Sequence, residues 1–227
     1  MKRLKLHVKL LRRKLQDAFG GEKFSRKQRV EIPFAFEICI SQEIKSSETF
    51  ENKLYNLQAA SKKINEYVLF PGELFSFWRV VENPYSFKES RSINKGKIIQ
   101  EVGGGICQVS GIVYYVSILA GLKVVERYNH SADFYTEETR FTPLGTDATV
   151  VYGNKDLRIK NTFDFPIKFQ IDIIENRIVA KLLSMQKIEE NQLQFEFLPS
   201  NESETIVEVK YTTGQLVNQS VYKKMNV

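Results

Sequence analysis

Hydrophobic positions recur with helical spacing in three parts of the chain. Near the N-terminus they are Leu4, Val8, Leu11, Leu15 and Ala18, and basic residues fill most of the other positions. Residues 50–68 predict a second amphipathic helix of about five turns, which Pro71 and Gly72 end with a turn. Residues 109–120 are apolar almost throughout and precede Gly121, which predicts a buried helix of about three turns with a glycine C-cap.

Alternating or valine-rich segments predict strands between and after these helices. The predicted strands are residues 30–40, 74–81, 122–130, 146–152, 157–161, 166–174, 177–184, 193–198, 205–211 and 216–222. Residues 83–97 are polar and turn-rich, which predicts a loop over a cleft or a simple connector. We therefore expect an α+β protein with three parts: a basic amphipathic helix and connector (1–24), a core domain (25–185) and a C-terminal β-hairpin appendage (186–227).

A glycine-rich turn, a cysteine, an apolar helix and a histidine follow one another in residues 101–130, EVGGGICQVSGIVYYVSILAGLKVVERYNH. The turn permits backbone angles closed to other residues and lets a substrate approach the chain; its members are Gly103, Gly104 and Gly105. We expect Cys107 in the first turn of the helix, where the helix dipole favours the thiolate. The glycine turn and the amides of Cys107 and Gln108 are candidates for an oxyanion hole, and the side chain of Gln100 is a further candidate donor.

A cysteine on a helix, followed by a histidine and an acid on strands, is the layout of papain-like and transglutaminase-like thiol enzymes. It predicts a Cys-bearing helix packed against an antiparallel sheet, with Cys107 as nucleophile, His130 as base and Asp147 as the acid that orients the imidazole. Asp133 and Asp156 compete with Asp147 for the orienting position. The residues predicted to contact substrate are Gly103, Gly104, Gly105, Gln108, Ser110, Phe77 and Arg127.

Each of these residues also has an ordinary structural explanation. A cysteine in a buried helix is usually a small hydrophobic residue, and His130 could simply end a strand. Zinc sites need short spacings such as C-x-x-C or H-x-x-x-H, which the sequence lacks, and the glycine turn lacks the lysine of a nucleotide-binding loop. We therefore predict no metal and no cofactor. Cys39 lies in an alternating segment, so we do not expect it to form a disulfide with Cys107.

Several short motifs resemble the VanW-like family, which is named after an accessory protein of inducible vancomycin-resistance clusters. They occur in the expected order and are LFPGELFSF (69–77), GGGICQVS (103–110), LAGLKVVERYNHS (119–131), PLGTDATV (143–150) and DLRIKN (156–161). The resemblance implies a bacterial cell-envelope or glycopeptide-resistance context and supplies no established reaction. Two positions depart from the family pattern: Gly111 replaces the usual threonine, and Trp78 replaces a smaller polar residue.

The net positive charge of the chain is concentrated in the N-terminal segment. It supplies all of the net charge of +6, so a nucleic-acid binder with a broad basic face is not expected. It also lacks the uninterrupted apolar stretch and cleavage site of a secretory signal, and no segment of the chain is long and apolar enough to cross a bilayer. We expect a cytoplasmic protein. Residues 1–19 either pack on the domain with a solvated charged face or contact the inner membrane surface peripherally.

Three classes of function remain open on this basis. The first is a cysteine hydrolase or acyl transferase that acts on an amide or peptide bond of a cell-wall peptide or peptidoglycan precursor. The second is a non-catalytic module that binds a cell-wall fragment or a partner through the glycine turn, and replacing Cys107 should leave its binding intact. The third is an accessory protein at the inner membrane face, for which a truncation before Phe24 would be decisive.

Overall fold

A computed structural model describes residues 2–29, 31–94, 97–133, 140 and 142–224. The helices are α1 (Lys2–Phe19), α2 (Phe50–Ile64), α3 (Phe77–Val81) and α4 (Cys107–Leu119), with a 3₁₀ turn at Pro84–Ser86. The strands are β1 (Arg26–Lys27), β2 (Phe36–Glu43), β3 (Tyr67–Val68), β4 (Leu74–Ser76), β5 (Glu89–Asn94), β6 (Lys97–Val102), β7 (Lys123–Glu126), β8 (Ala132–Asp133), β9 (Arg158–Lys160), β10 (Ile167–Ile174), β11 (Arg177–Ser184), β12 (Leu193–Leu198), β13 (Glu204–Tyr211) and β14 (Leu216–Lys224).

The strands form small sheets that are mainly antiparallel, so the chain is an α+β protein. The two larger sheets have the orders β10-β11-β2 and β12-β13-β14-β8, and the smaller ones are β4-β9-β7, β5-β6 and β1-β3. Every described strand pair is antiparallel except β14 with β8, which run parallel.

Helix α4 lies at the centre of the hydrophobic core. Nearly all of its side chains are buried, including those of Ile112, Val113 and Ile118. The sheet β10-β11-β2 supplies an apolar face through alternate residues of β11, and α2 also packs into the same core. Because α4 is apolar on every side, only a position surrounded by other elements can bury it, and this fixes the location of its N-terminal residue Cys107.

Several predicted elements differ from the observed ones. Residues 74–81, predicted as one strand, form β4 followed by helix α3, because the Ser76 hydroxyl accepts a hydrogen bond from the Arg79 amide and caps the helix. Residues 83–97 contain the 3₁₀ turn and β5 rather than one long loop. Helix α2 ends at Ile64, and the last residues predicted for it form β3 instead. Val30, the first residue of a predicted strand, lies outside the described residues.

The segments that were predicted to carry His130 and Asp147 as strands are largely irregular. Strand β7 ends at Glu126, so His130 lies beyond it, and residues 146–150 form no strand. Their polar backbone groups bond locally instead: the Thr149 amide donates to the Tyr128 carbonyl at 2.7 Å, and the Asp147 carbonyl accepts from the Arg127 guanidinium at 2.8 Å. The prediction of strands was wrong here because an isolated backbone bond and a side-chain bond take the place of a continuous strand ladder.

The C-terminal strands form more than the predicted hairpin appendage. Strands β12, β13 and β14 make an antiparallel meander that β8 extends, so a strand of the predicted core domain shares a sheet with the C-terminal strands. This sheet is also tied to α4: the Tyr211 hydroxyl donates to the Ile118 carbonyl at 3.1 Å, and the Asn218 amide donates to the Tyr114 hydroxyl at 2.7 Å. The C-terminal sheet therefore packs directly behind the helix that carries Cys107.

Candidate active site

The three glycines before α4 are explained by the backbone conformation at two of them and by a close contact at the third. Gly103 and Gly105 have φ values of +81° and +92°, in the left-handed region that glycine tolerates best. Gly104 faces β5, and a Cβ atom there would lie 2.1 Å from the Ser90 carbonyl oxygen. Gly104 was predicted to contact substrate, but the structure packs it against the chain itself.

Cys107 begins helix α4 directly after this turn. Its Sγ lies 3.7 Å from the Thr149 hydroxyl oxygen and 3.8 Å from the Val150 carbonyl oxygen. The side chain is half-buried, so the thiol lies at the edge of the core. The first turn of a helix leaves amide groups without helical partners, and their dipoles favour a thiolate at this position.

His130 and Asp147 form the second part of the site. The Asp147 Oδ2 atom lies 2.6 Å from His130 Nδ1 and 2.7 Å from the His130 backbone nitrogen, so one carboxylate oxygen holds both ring and main chain. The imidazole is also close enough to the Cys107 thiol for the two groups to shift each other's pKa. Because Nδ1 is engaged by Asp147, Nε2 is the ring nitrogen that remains for proton exchange with the thiol. The structure thus brings Cys107, His130 and Asp147 together.

The other oxygen of Asp147 is held by two hydrogen-bond donors, Arg127 and Tyr222. Its Oδ1 atom accepts hydrogen bonds from the Arg127 guanidinium at 2.9 Å and from the Tyr222 hydroxyl at 2.5 Å. Arg127 also donates to the Ser220 hydroxyl at 2.6 Å, and its side chain is only 7% exposed. Arg127 was predicted to contact substrate, but the structure uses its guanidinium to hold Asp147.

The charges of this cluster shift the pKa values of all three groups. Burial alone lowers the pKa of His130, but the hydrogen bonds with Asp147 and Cys107 outweigh it and raise the pKa to about 10. Burial raises the pKa of the Cys107 thiol, whereas the hydrogen bond and charge of His130 lower it below its ordinary value. Burial likewise opposes ionisation of Asp147, yet His130 and Arg127 hold its pKa well below the usual range. The favoured state is a thiolate–imidazolium pair beside an ionised carboxylate.

The two competing acids are engaged elsewhere. Asp133 pairs with Arg140 at 2.8 Å. Asp156 is buried, accepts from the Ser76 hydroxyl at 2.6 Å and from the Trp78 amide at 3.1 Å, and also pairs with arginines. Of the three candidates, Asp147 is the one that contacts His130.

Three other predicted contact residues point into the protein. Phe77 is fully buried in the core. The Ser110 hydroxyl donates to the Ala148 carbonyl at 2.7 Å, and the Gln108 side chain donates to the Glu43 carbonyl at 2.8 Å. Ser110 and Gln108 therefore join α4 to its neighbours, and their part in substrate binding finds no support in these contacts.

The amides around the turn differ in their availability to an oxyanion. The Gln108 amide, one of the predicted donors, is already bonded to the Gly105 carbonyl at 2.9 Å. Within the described part of the chain, the Cys107 amide and the Gly105 amide have no hydrogen-bond acceptor. The Gln100 side chain is exposed on β6. The free Cys107 and Gly105 amides are thus the better candidates for an oxyanion hole.

Several residues that support the site from a distance were not predicted from the sequence. They are Tyr222, Ser220 and Asn218 of β14, about ninety residues beyond His130, and no local pattern could reveal them. Thr149, whose hydroxyl lies 3.7 Å from Cys107 Sγ, was not predicted either, because residues 146–150 form no strand whose alternation could indicate it. Among the residues described, no group of three or more His, Cys, Asp and Glu side chains is arranged to hold a metal ion.

The chain is therefore an α+β protein with a candidate thiol site, in which Cys107 starts a helix near His130 and Asp147. The chain belongs to the VanW-like family: the family described as VanW like protein matches residues 52–183, which is more than half of the chain. The matched range contains Cys107, His130 and Asp147.

Two curated relatives are similar over the same region. The Vancomycin B-type resistance protein VanW of Enterococcus faecalis is 31% identical over 139 residues, covering 59% of this chain and 50% of the relative. The uncharacterized protein YoaR of Bacillus subtilis is 34% identical over 141 residues, covering 61% of this chain and 45% of the relative. The matches thus span about half the length of each relative. No solved structure matches the chain.

Proposed function

We propose that the chain is a thiol-dependent enzyme, a cysteine hydrolase or acyl transferase that acts on an amide or peptide bond. The observation that carries the proposal is the cluster of Cys107, His130 and Asp147: the carboxylate contacts the imidazole at 2.6 Å, and the imidazole lowers the pKa of the thiol. In this arrangement the imidazole exchanges the thiol proton and the acid fixes the imidazole orientation. A Cys-bearing helix start, followed in the chain by His and then Asp, is also the order of papain-like and transglutaminase-like enzymes.

The reaction follows from the charge state of the site. The Cys107 thiolate adds to the carbonyl carbon, and the free Cys107 and Gly105 amides receive the developing oxyanion. The imidazolium of His130 then protonates the leaving amine as the C–N bond breaks, which leaves a thioester and a neutral imidazole. Water or an acceptor amine attacks the thioester and gives its proton to His130. This step releases the acyl group and restores the thiolate–imidazolium pair.

The proposed substrate is a cell-wall peptide or peptidoglycan precursor. Support comes from the printed name of one relative, a vancomycin B-type resistance protein, which suggests a cell-envelope context for the family. An aromatic row that includes Tyr152, two residues after Val150, offers a sizeable ligand an apolar surface: Trp78 packs edge-on against Tyr152, and Tyr152 packs against Tyr85, which is 71% exposed.

The test is the pH dependence of Cys107 alkylation by iodoacetamide, followed by intact mass in a Cys39→Ser background. We expect the reactive thiolate to persist well below pH ~8.5, the ordinary thiol pKa. In His130→Ala the apparent pKa should rise, because the imidazolium that stabilises the thiolate is absent. Reactivity of the thiol should not depend on Asp133, so Asp133→Asn serves as the control acid.

A Cys107 thiol with an ordinary pKa that ignores His130 would refute the enzyme proposal. In that case the non-catalytic binding module becomes the better explanation. Cys107→Ala then tests that module, because a non-catalytic module should bind a cell-wall fragment equally well without the thiol.

A further inference from the structure

Within the part of the chain that the structure describes, helix α1 is attached to the rest of the protein by one of its faces. Leu6 and Leu10 contact Gly153, where a Cβ atom would lie 2.4 Å from the Leu6 side chain. One and two turns further on, Arg13 pairs with Glu126 at 2.7 Å and Asp17 pairs with Arg158 at 2.7 Å. The four α1 residues of this docked face are half-buried and follow helical spacing.

The opposite face of α1 is an apolar stripe that points into solvent. Its members and their exposed fractions are Leu4 (70%), Val8 (58%), Leu11 (58%), Leu15 (48%) and Phe19 (88%). At ~100° per residue, the centre of this stripe lies roughly half a turn from the docked face. Packing on the domain with a solvated charged face was one of the two alternatives predicted for residues 1–19. The helix does pack on the domain, but its main apolar stripe remains uncovered by the described residues.

Basic side chains flank the stripe. Lys5 and Arg12 lie along one border and Lys14 along the other, all of them exposed. The helix as a whole has seven basic residues and one acid. Since the full chain has 33 basic and 27 acidic residues, the part outside α1 is neutral in formal charge. The positive charge of the protein is therefore concentrated around its exposed apolar stripe.

We propose that the outward stripe of α1 inserts into the surface of an anionic lipid bilayer. A helix of this kind lies in the interface with its apolar side chains among the acyl chains and its basic residues at the headgroups. Lys and Arg side chains near an anionic surface are attracted to it, so the flanking residues add to the effect of burying the stripe. Self-association through the same stripe is opposed by charge, because it would bring two strongly basic helices together.

The docked face gives this contact a consequence for the candidate site. Gly153 lies in the turn between Val151 and Lys155, three residues after Val150, whose carbonyl faces Cys107. Binding through α1 therefore holds the site close to the bilayer. None of the described helices is both long and apolar enough to cross a membrane, so the contact is an interfacial one. The inference is independent of the proposed chemistry, since it requires no activity at Cys107.

The experiment is vesicle flotation of the full chain at two lipid compositions. We expect binding to vesicles of phosphatidylcholine mixed with phosphatidylglycerol, weak binding to phosphatidylcholine alone, and a marked loss of binding at high salt. Leu11→Glu should reduce the apparent affinity about tenfold or more, because it places a charge in the apolar stripe. The matched control is Phe197→Glu, because Phe197 is also 58% exposed but lies on β12.

A second pair of variants tests the charge at the border of the stripe. Arg12→Glu should weaken binding to the anionic vesicles about fivefold or more. The control Lys62→Glu, at an exposed position of α2, should leave binding unchanged. Circular dichroism verifies folding of each variant. Failure to bind anionic vesicles, or equal binding by the Leu11 and Phe197 variants, would overturn the proposal. A dimer in light scattering that Leu11→Glu dissolves would also overturn it, because a second copy would then occupy the stripe.

Discussion

Lys53 extends its side chain across Gly105, close to the candidate oxyanion hole. A Cβ atom on Gly105 would lie 2.7 Å from the Lys53 Cγ, so the lysine stem covers the turn. Burial, with a smaller effect of Arg91, lowers the pKa of the lysine to about 8. Within the described ranges no acidic side chain pairs with it. A partly desolvated ammonium without a counter-ion costs stability in the folded state, and this cost depends on pH.

Replacing Lys53 with methionine is therefore expected to stabilise the fold at pH 7. The folded-state pKa of about 8 lies below the ordinary value of 10.5, so the penalty is fully present below pH 8 and disappears as pH rises through 10.5. Allowing for the solvent contact of this side chain, the gain should be about 1–2 kcal/mol at pH 7. Urea unfolding at several pH values measures it, with the exposed Lys62→Met as control. A gain that does not shrink toward pH 11 would contradict this explanation.

At this scale the sequence was informative about residue types and less so about their contacts. Cysteine and histidine are rare in the chain, so their order near a glycine turn was enough to single out Cys107 and His130. The structure places them together with Asp147, while their chemical roles stay a prediction. Arg127 and Gln108 were harder to place, because hydrogen bonds formed on folding decide whether a polar side chain faces the site or the interior.

Two glycines near Cys107 differ in whether the structure has room for a larger side chain. Gly111 lies within α4, and a Cβ atom there would meet only ordinary contacts, the nearest being the Ala148 nitrogen at 3.6 Å. We expect Gly111→Ala to raise the free energy of unfolding by roughly 0.5–1 kcal/mol, because alanine favours a helix interior over glycine. Chemical denaturation measures the change.

Gly104→Ala is the matched comparison for this prediction. Its Cβ atom would lie 2.1 Å from the Ser90 carbonyl oxygen, so β5 or the turn has to move. We expect a loss of about 2–4 kcal/mol, together with a changed alkylation rate at Cys107. If Gly111→Ala were as harmful as Gly104→Ala, the space around Gly111 would be tighter than the contacts indicate.

Prediction of the elements succeeded where the hydrophobic period was long and regular. Helices α1, α2 and α4 are present close to their expected positions, as are strands β10 to β14. It failed at residues 122–130 and 146–152, where valine-rich sequence indicated strands throughout. There the chain turns to bring His130 and Asp147 together. The Asp147 carbonyl bonds to the Arg127 side chain and the Thr149 amide bonds to the Tyr128 carbonyl, in place of a strand ladder. Such contacts span distant positions and leave no periodic pattern in the sequence.

At the scale of the whole molecule, elements that lie outside the family-matched region at either end contact residues within it. The C-terminal sheet reaches Asp147 through Tyr222, which is almost completely buried. Helix α1 reaches the buried Asp156 and half-buried Glu126 through Arg13. The sequence offered no means to predict either contact, because each joins residues more than seventy positions apart.

Tyr222→Phe tests whether the C-terminal sheet supports the thiol chemistry. The change removes a donor to Asp147 and an acceptor for the Gly145 amide, which donates to the Tyr222 hydroxyl at 2.9 Å, but leaves the ring in place. We expect a loss of about 1–3 kcal/mol in stability. Cys107 alkylation near neutral pH should also slow about two- to fivefold, because a less firmly held Asp147 stabilises the His130 imidazolium less well.

Tyr211→Phe in the same sheet provides the control for this prediction. Its hydroxyl donates to the Ile118 carbonyl at 3.1 Å and does not contact Asp147, so its loss should lower stability without changing the pH profile of Cys107. If both variants altered the profile equally, the sheet would act only through general stability. A shift confined to Tyr222→Phe would instead show that a strand outside residues 52–183 tunes the acid of the site, so the family-matched region alone would not reproduce its charge state.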